Sequence, residues 1–133
     1  ETADAFRALN VFALPSDHEP FGIVILEAWA AGTAVVASDA GGIPSFTENG
    51  TDILRFHVGD GEGFAEQLDA VLRNDGLRAK LAENGRAKAV RDYGWPSIGA
   101  KFLDMYREAE EWTLNRAKIA DPTFAFAARD ARP

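Results

Sequence analysis

Short apolar blocks alternate with longer ones along the chain, a pattern that predicts strands followed by helices. Val11 to Leu14, Thr33 to Ser38 and Ile53 to Val58 are short, apolar and bounded by turn residues, which is typical of buried strands. Between the first two lies Ile23 to Ala31, which is apolar on every side except at one glutamate. That uniform pattern predicts a helix buried all round rather than an amphipathic surface helix.

The second half of the chain has apolar residues at helical spacing. Strands that alternate with helices predict an α/β fold with a parallel sheet and flanking helices. Beyond Asn115 the periodicity fails, so we expect one domain over 1–115 and an irregular tail over 116–133. The other predicted helices run over Thr2 to Leu9, Pro44 to Glu48, Gly61 to Leu72, Leu77 to about Asp92 with Gly85 as a weak point, and Ile98 to Trp112.

Composition limits the classes of function. The 133 residues, 47% of them hydrophobic, suit a single domain with a core. The formal charge is −7, from 21 acidic and 14 basic residues, so no nucleic-acid partner is expected. The chain has no cysteine, which excludes disulfides and thiolate chemistry. We see no signal peptide and no apolar run long enough to span a bilayer, and we expect a soluble, cytoplasmic protein.

Two carboxylates flank the start of the apolar helix. Glu19 and Glu27 have seven residues between them, and Phe21 or Gly22 would open the helix, which places the carboxylates roughly 9 Å apart along its axis. The helix N-terminus between them offers unpaired N–H groups and a positive dipole, which favour phosphate. Carboxylates accept hydrogen bonds from hydroxyls but repel phosphate. The expected ligand therefore has hydroxyls at both ends and anionic charge in the middle, as a nucleotide-diphosphate sugar has.

An ordered set of motifs resembles the donor site of family-4 glycosyltransferases, which are retaining enzymes of the two-domain GT-B fold. The resemblance covers roughly Leu9 to Ala109 and implies a partial Rossmann-like sheet, part of the C-terminal domain of that fold. The upstream domain and its basic residues have no counterpart in the chain. The motifs are Pro15-Ser16, Glu19-Pro-Phe-Gly, Ile23-Val-Ile-Leu-Glu27-Ala, Ala31-Gly32, Val35-Val36-Ala37-Ser38, Gly41-Gly42-Ile43-Pro44 and Tyr93-Gly-Trp95.

The resemblance also implies roles and partners. Glu19 would contact hydroxyls of the transferred hexose and act in catalysis, and Glu27 would hold the ribose hydroxyls. Backbone N–H groups of Phe21, Gly22, Ile23 and Val24 would face the sugar and the diphosphate, and no metal or other cofactor is implied. The donor would be a nucleotide sugar, with a glycosyl acceptor in the full enzyme. The partner of the chain would be the missing upstream domain, or a second copy joined through exposed strand edges.

Several alternatives stay open. Glu27 could pair with Arg55 inside the core, and His57 is expected to be structural. Glu19 could be an exposed loop carboxylate that stabilises the helix N-terminus through the macrodipole, a role that can coexist with ligand binding. His18 is expected to be a solvated loop side chain, and Asp17 with Asp39 makes a weak metal candidate. A non-catalytic nucleotide-binding or self-associating module is the second hypothesis for function. A phosphorylase or a sugar-nucleotide epimerase is a third, for which no signature is present.

Overall fold

The structure, a computed structural model, describes residues 2–120, and for 117–120 it describes the backbone alone. The chain divides into two compact units, Glu1–Gly94 and Trp95–Pro133. The strands are β1 (Val11–Leu14), β2 (Ala34–Ser38) and β3 (Leu54–Phe56); the helices are α1 (Thr2–Arg7), α2 (Ile23–Ala31), α3 (Ile43–Phe46), α4 (Gly61–Arg73), α5 (Asp75–Tyr93) and α6 (Trp95–Ala120).

The sheet of the first unit is parallel in the order β1-β2-β3, which confirms the predicted α/β fold. Val11 pairs with Ala34, and Val36 pairs with Leu54. Every residue of β2 is buried because successive side chains point to opposite faces and both faces are covered. Val35 and Ala37 pack toward α2 and α3 on one face. Ala34 and Val36 pack on the other face with residues of β3, α4 and α5.

Helix α2 is buried on one side only, so the prediction of all-round burial is wrong. Ile25, Ala28 and Trp29 are fully buried against the sheet core. Ile23 is 66% exposed on the opposite side, and Glu27 and Ala30 are also exposed. The uniform apolar sequence therefore exceeds what this chain covers, and one face of the helix lies open.

Trp29 and Gly85 explain how α5 packs so closely against α2. A Cβ atom on Gly85 would overlap the indole ring of Trp29, so the glycine provides the space for that ring. Gly85 is buried within a continuous helix, and the expectation of a weak point there is wrong. Lys88, one turn further on, lies 5.8 Å from the centre of the Trp29 ring and forms an ion pair of 2.6 Å with the buried Asp52.

The outer edge of β3 is occupied by the segment before it. The Asn49 side chain accepts a hydrogen bond of 2.8 Å from the Arg55 backbone N–H, and Gly50 N–H donates to the Ile53 carbonyl at 2.8 Å. Asn49 and Ile53 also form an isolated parallel bridge. These contacts take up backbone groups that an edge strand would otherwise present to another chain.

The second unit is dominated by α6. This helix extends through Ala120, so the prediction of an irregular tail is wrong for 116–120; 121–133 lie outside the described residues. Trp95 and Trp112 of this helix are 85% and 62% exposed. The predicted apolar stripe is helical as expected, but most of it is exposed, including Phe102, Met105 and Tyr106. Across the described part of the chain, every helix is too short or too polar to cross a membrane.

Candidate functional site

The two loops that carry the sequence motifs meet at the carboxyl end of the sheet. The first loop follows β1 and the second follows β2, and hydrogen bonds join them. Ser38 Oγ donates to the Ser16 carbonyl at 2.6 Å, and Gly42 N–H donates to the Glu19 carbonyl at 2.9 Å. In open α/β sheets this edge is where ligands bind, so the fold brings the predicted motifs to the expected place.

Gly41 and Gly42 bring the two loops into direct backbone contact. A Cβ atom on Gly41 would overlap the Glu19 carbonyl, and one on Gly42 would overlap the Pro20 carbonyl. Gly41 also has φ of +50°, a conformation that L side chains rarely adopt. The pair is therefore required for the close approach of the loops. This contact fixes the position of the Glu19 backbone.

Glu19 accepts hydrogen bonds from the backbone just before α2. Its Oε1 atom lies 2.9 Å from the Gly22 nitrogen and 3.4 Å from the Phe21 nitrogen. Two of the four N–H groups that the sequence assigned to the ligand are thus engaged by this carboxylate in the structure. The contact is favourable because it satisfies donors at the positive end of the helix dipole.

The first turn of α2 leaves further donors available. Gly22 precedes the helix with φ of +92°, in the left-handed region, and this sharp change of direction starts the helix at Ile23. The N–H groups of Ile23 and Val24 have no hydrogen-bond acceptor among the residues that the structure describes. These two donors are the part of the predicted anion site that is free of protein contacts.

Phe21 anchors the same loop through its ring. The ring stacks on Phe46 of α3 with centroids 4.8 Å apart, and it lies 6.1 Å from the ring of Tyr93 at the end of α5. Phe46 in turn contacts Trp29 edge-on at 5.9 Å. Phe21 nevertheless keeps 41% of its surface exposed. Its side chain supports the loop from behind, while its backbone N–H faces Glu19.

Glu27 lies one helical turn beyond Ile23, on the open side of α2. Its carboxylate is exposed and makes neither a hydrogen bond nor an ion pair with the residues described here. The alternative of a core pair with Arg55 is therefore wrong. Glu27 borders a groove of about 300 Å³ between α1 and α2, where Phe6 and Arg7 form the opposite wall.

Asp39 and His57 form a contact that the sequence analysis did not identify. They directly follow β2 and β3, and His57 Nδ1 lies 2.6 Å from Asp39 Oδ2. Asp39 Oδ1 also accepts the Val58 N–H at 3.0 Å. The hydrogen bond from His57, and to a lesser extent that from Val58, lowers the pKa of Asp39 below its usual value. The signal was their position at neighbouring strand ends, which in a parallel sheet lie at one edge.

The other candidates stay apart. His18 is an exposed loop residue, in agreement with its expected solvated role. Within 2–120 no group of three or more histidine, aspartate or glutamate side chains has the spacing of a metal site. Asp17 lines a small pocket of about 180 Å³ between the first loop and the start of α4, together with Ser38 and Asp60.

The described chain is an α/β domain with a parallel sheet, and its motif loops lie at the carboxyl edge, where open α/β sheets bind ligands. The sequence profile described as Glycosyl transferases group 1 matches residues 1–88. The chain therefore belongs to the group 1 glycosyl transferase family.

Relatives with assigned names support this membership over most of the chain. A lipopolysaccharide core biosynthesis glycosyltransferase, LpsE, from Rhizobium meliloti is 36% identical over 105 residues, which cover 79% of this chain and 31% of that protein. A D-inositol 3-phosphate glycosyltransferase from Xylanimonas cellulosilytica is 41% identical over 107 residues, covering 80% of this chain and 25% of that protein. The chain thus spans between a quarter and a third of the length of these relatives.

Comparison with solved structures identifies the fold to which the chain is similar. Sucrose-phosphate synthase from Thermosynechococcus elongatus superimposes with a TM-score of 0.75 at 30% identity, over 80% of this chain and 27% of that one. Anabaena HepE in complex with UDP-glucose gives 0.73 at 27% identity, over 78% and 29%. The C-terminal domain of LpcC from Francisella tularensis, a group 1 family protein, gives 0.64 at 30% identity, over 68% and 47%. The partial Rossmann-like sheet is thus part of the C-terminal domain of a GT-B fold.

Proposed function

We propose that this chain is the donor-binding part of a retaining glycosyltransferase that transfers a hexose from a nucleotide-diphosphate sugar to an acceptor. One observation carries the proposal. The first turn of α2 at the carboxyl edge of the sheet has two N–H groups, of Ile23 and Val24, without an acceptor in the described chain, and it lies between the half-buried Glu19 and the exposed Glu27 in a chain of the group 1 family. Anabaena HepE, a structural neighbour, was solved with UDP and with UDP-glucose, which supports this donor class.

Glu27 is assigned to the nucleotide. Its exposed carboxylate lacks a protein partner in the described chain, and as an ionised group it can accept hydrogen bonds from both hydroxyls of a ribose ring. The N–H groups of Ile23 and Val24, which have no acceptor in the described chain, lie about one helical turn before Glu27. The diphosphate would accept hydrogen bonds from them. Their fixed dipoles would also stabilise the charge that develops on the departing nucleotide.

Glu19 is assigned to the transferred sugar and to catalysis. Its carboxylate would accept hydrogen bonds from sugar hydroxyls, which requires it to share or release the N–H groups of Gly22 and Phe21 that it now accepts. Release would add these two donors to the set that faces the diphosphate. The backbone of Glu19 stays fixed meanwhile, since Gly42 N–H holds its carbonyl.

The size of the chain relative to its relatives indicates which functions the rest of the enzyme would supply. Because the chain spans 25% to 31% of its relatives, we propose that catalysis requires the upstream domain, which would supply the acceptor site and the cations that neutralise the diphosphate. We propose no metal cofactor and a cytoplasmic location. In the absence of that domain, β1 is the edge of the sheet through which a second copy would pair, since β3 is covered by Asn49 and Gly50.

The test is a ligand-observed NMR titration of the 133-residue chain with UDP, GDP and ADP, repeated on Glu27→Gln. We expect one nucleotide to bind and the substitution to weaken its binding by at least about tenfold, because the amide has one acceptor oxygen in place of two and lacks the charge that strengthens the hydrogen bonds to ribose. Glu108→Gln, an exposed position of α6, is the matched control and should leave the affinity unchanged. Equal affinity of Glu27→Gln and the unmodified chain would refute the role of Glu27.

A second experiment separates the two hypotheses of function. In the enzyme completed with its upstream domain, Glu27→Ala should weaken donor binding far more than acceptor binding. Turnover by the isolated chain with purified donor and acceptor would contradict the requirement for a second domain. Nucleotide binding without turnover in the completed enzyme would favour the non-catalytic module instead.

A further inference from the structure

A second cleft, of about 440 Å³, lies beside β3 and does not include Glu19 or Glu27. Asp39 and His57 border it at the ends of β2 and β3, and Arg55 and Phe56 of β3 form its floor. Glu66 and Gln67 of α4 form the facing wall. Its volume falls within the range of small-molecule sites in proteins.

Some polar groups of this cleft are already committed to the fold. Both oxygens of Asp39 accept hydrogen bonds, from His57 Nδ1 and from the Val58 N–H. Asp60 caps α4 by accepting the Gly63 N–H at 2.9 Å. These contacts fix the walls. They also leave Nε2 of His57 as the ring nitrogen available to a ligand, because Nδ1 is held by Asp39.

Other polar groups of the cleft make no hydrogen bond to the residues that the structure describes. Arg55 Nε is shielded from solvent and makes no hydrogen bond within the described part of the chain. Glu66 is exposed and Gln67 is half-buried, and neither makes a side-chain hydrogen bond to another described residue. The cleft therefore combines unused donors and acceptors on opposite walls.

The charges and shapes of these groups select the ligand. One guanidinium shares the cleft with the carboxylates of Asp39, Asp60 and Glu66, so an anionic ligand would be repelled overall. Guanidinium, carboxylate and amide groups are planar and present paired donors or acceptors. Neighbouring hydroxyls of a sugar ring match such pairs. Neutral polyhydroxylated molecules thus fit both the charge and the geometry.

We propose that the cleft between β3 and α4 binds a neutral saccharide of one or two hexose units. The guanidinium of Arg55 and the carboxylate of Glu66 would hold hydroxyls from opposite sides, and Gln67 would complete the contacts. The site is separate from the proposed nucleotide site because the two share none of the residues that carry either assignment. It therefore stands or falls independently of donor binding.

The experiment is saturation-transfer NMR of the chain with glucose and maltose as neutral probes, and with glucose 6-phosphate and glucosamine as charged ones. We expect a neutral sugar to bind with millimolar affinity, and saturating UDP to leave its signal unchanged. Glu66→Ala should weaken binding by at least about fivefold, the loss of roughly one net hydrogen bond. Glu62→Ala, one turn earlier on α4 and outside the cleft, is the matched control and should have no effect.

Arg55→Leu provides the second variant, and Gln67→Ala replaces it if Arg55→Leu fails to fold. Either substitution should also weaken the binding of the neutral sugar. The proposal is overturned if no neutral sugar gives a signal or if a charged probe binds more tightly than its neutral counterpart. It is also overturned if the Glu66→Ala and Glu62→Ala variants bind the neutral sugar with equal affinity. Competition by UDP would place the sugar in the nucleotide site and overturn the separate cleft.

Discussion

The two faces of α2 are both apolar, apart from Glu27 on one of them, but their surroundings are opposite. Ile25, Ala28 and Trp29 on one face are fully buried. On the other face Ile23 is 66% exposed, and Glu27 lies beside it without a partner in the described chain. The buried face connects the sheet to α5, whereas the open face borders the helix N-terminus and the groove beside α1.

This contrast shows that an apolar helix sequence predicts burial of its faces but does not identify what covers each face. An apolar side chain left in water gives up the free energy of burial, so an open apolar face beside an unpaired carboxylate suits contact with something outside this chain. Under the proposed function, that contact is with the nucleotide sugar and with the upstream domain of the enzyme. Substitutions on the buried face should change stability, and those on the open face should change binding.

The largest expected effect is that of Trp29→Ala on the buried face. Removing the indole leaves a cavity between α2 and α5, and we expect a loss of about 3–5 kcal/mol in the free energy of unfolding. Urea titration followed by circular dichroism measures it. Trp29→Phe should cost much less, since it keeps a ring and removes an Nε1 donor that has no partner in the described structure. Similar losses for both variants would contradict this account of the ring.

Gly85→Ala tests the same face from the α5 side. The added methyl group would overlap the Trp29 ring, and we expect a loss of about 1–3 kcal/mol despite the higher helix propensity of alanine. Gly61→Ala, at the start of α4, is the control, because a Cβ atom added there would meet no other atom within 4 Å. It should stay within about 0.5 kcal/mol of the parent. A stabilising Gly85→Ala would show that the two helices separate at no cost.

Local patterns were sufficient for much of this fold. The strand at Val11–Leu14 was predicted with its observed bounds, and β2 starts one residue later than expected. Alternation of strands with helices predicted the parallel sheet. The packing role of Gly85 could not be predicted from local sequence. Its role depends on Trp29, which lies far away in sequence and leaves no local signal.

The sequence analysis did not predict two contacts that the structure shows among the candidate residues. Glu19 was assigned to a ligand, with stabilisation of the helix N-terminus as a role that could coexist, and its specific hydrogen bonds to the N–H groups of Phe21 and Gly22 were not predicted. The bond between Asp39 and His57 depends on strand order, which follows from the sequence only once the sheet is assembled.

On the open face, Glu27→Gln should leave stability within about 0.5 kcal/mol of the parent, since the exposed carboxylate makes no contact with the described protein. The same variant should lose nucleotide affinity if the proposed function holds. Thermal melting without and with UDP measures both effects. We expect equal melting temperatures without ligand and a smaller increase with UDP for the variant. A clear loss of stability without ligand would mean that the open face contributes to the fold.

The smallest expected effect is that of Asp39→Asn at the edge of the sheet, and it should depend on pH. Because His57 lowers the pKa of Asp39 in the folded protein, the folded state holds the ionised form more tightly than the unfolded chain does. This contribution is complete above the ordinary aspartate pKa of about 3.9 and is lost as the pH falls through the lower folded value. Urea unfolding at about pH 6 should therefore find the variant less stable than the parent, and the gap should narrow below about pH 4. A gap of constant size across this range would assign the effect to the amide substitution itself and not to ionisation of the contact that joins the ends of β2 and β3.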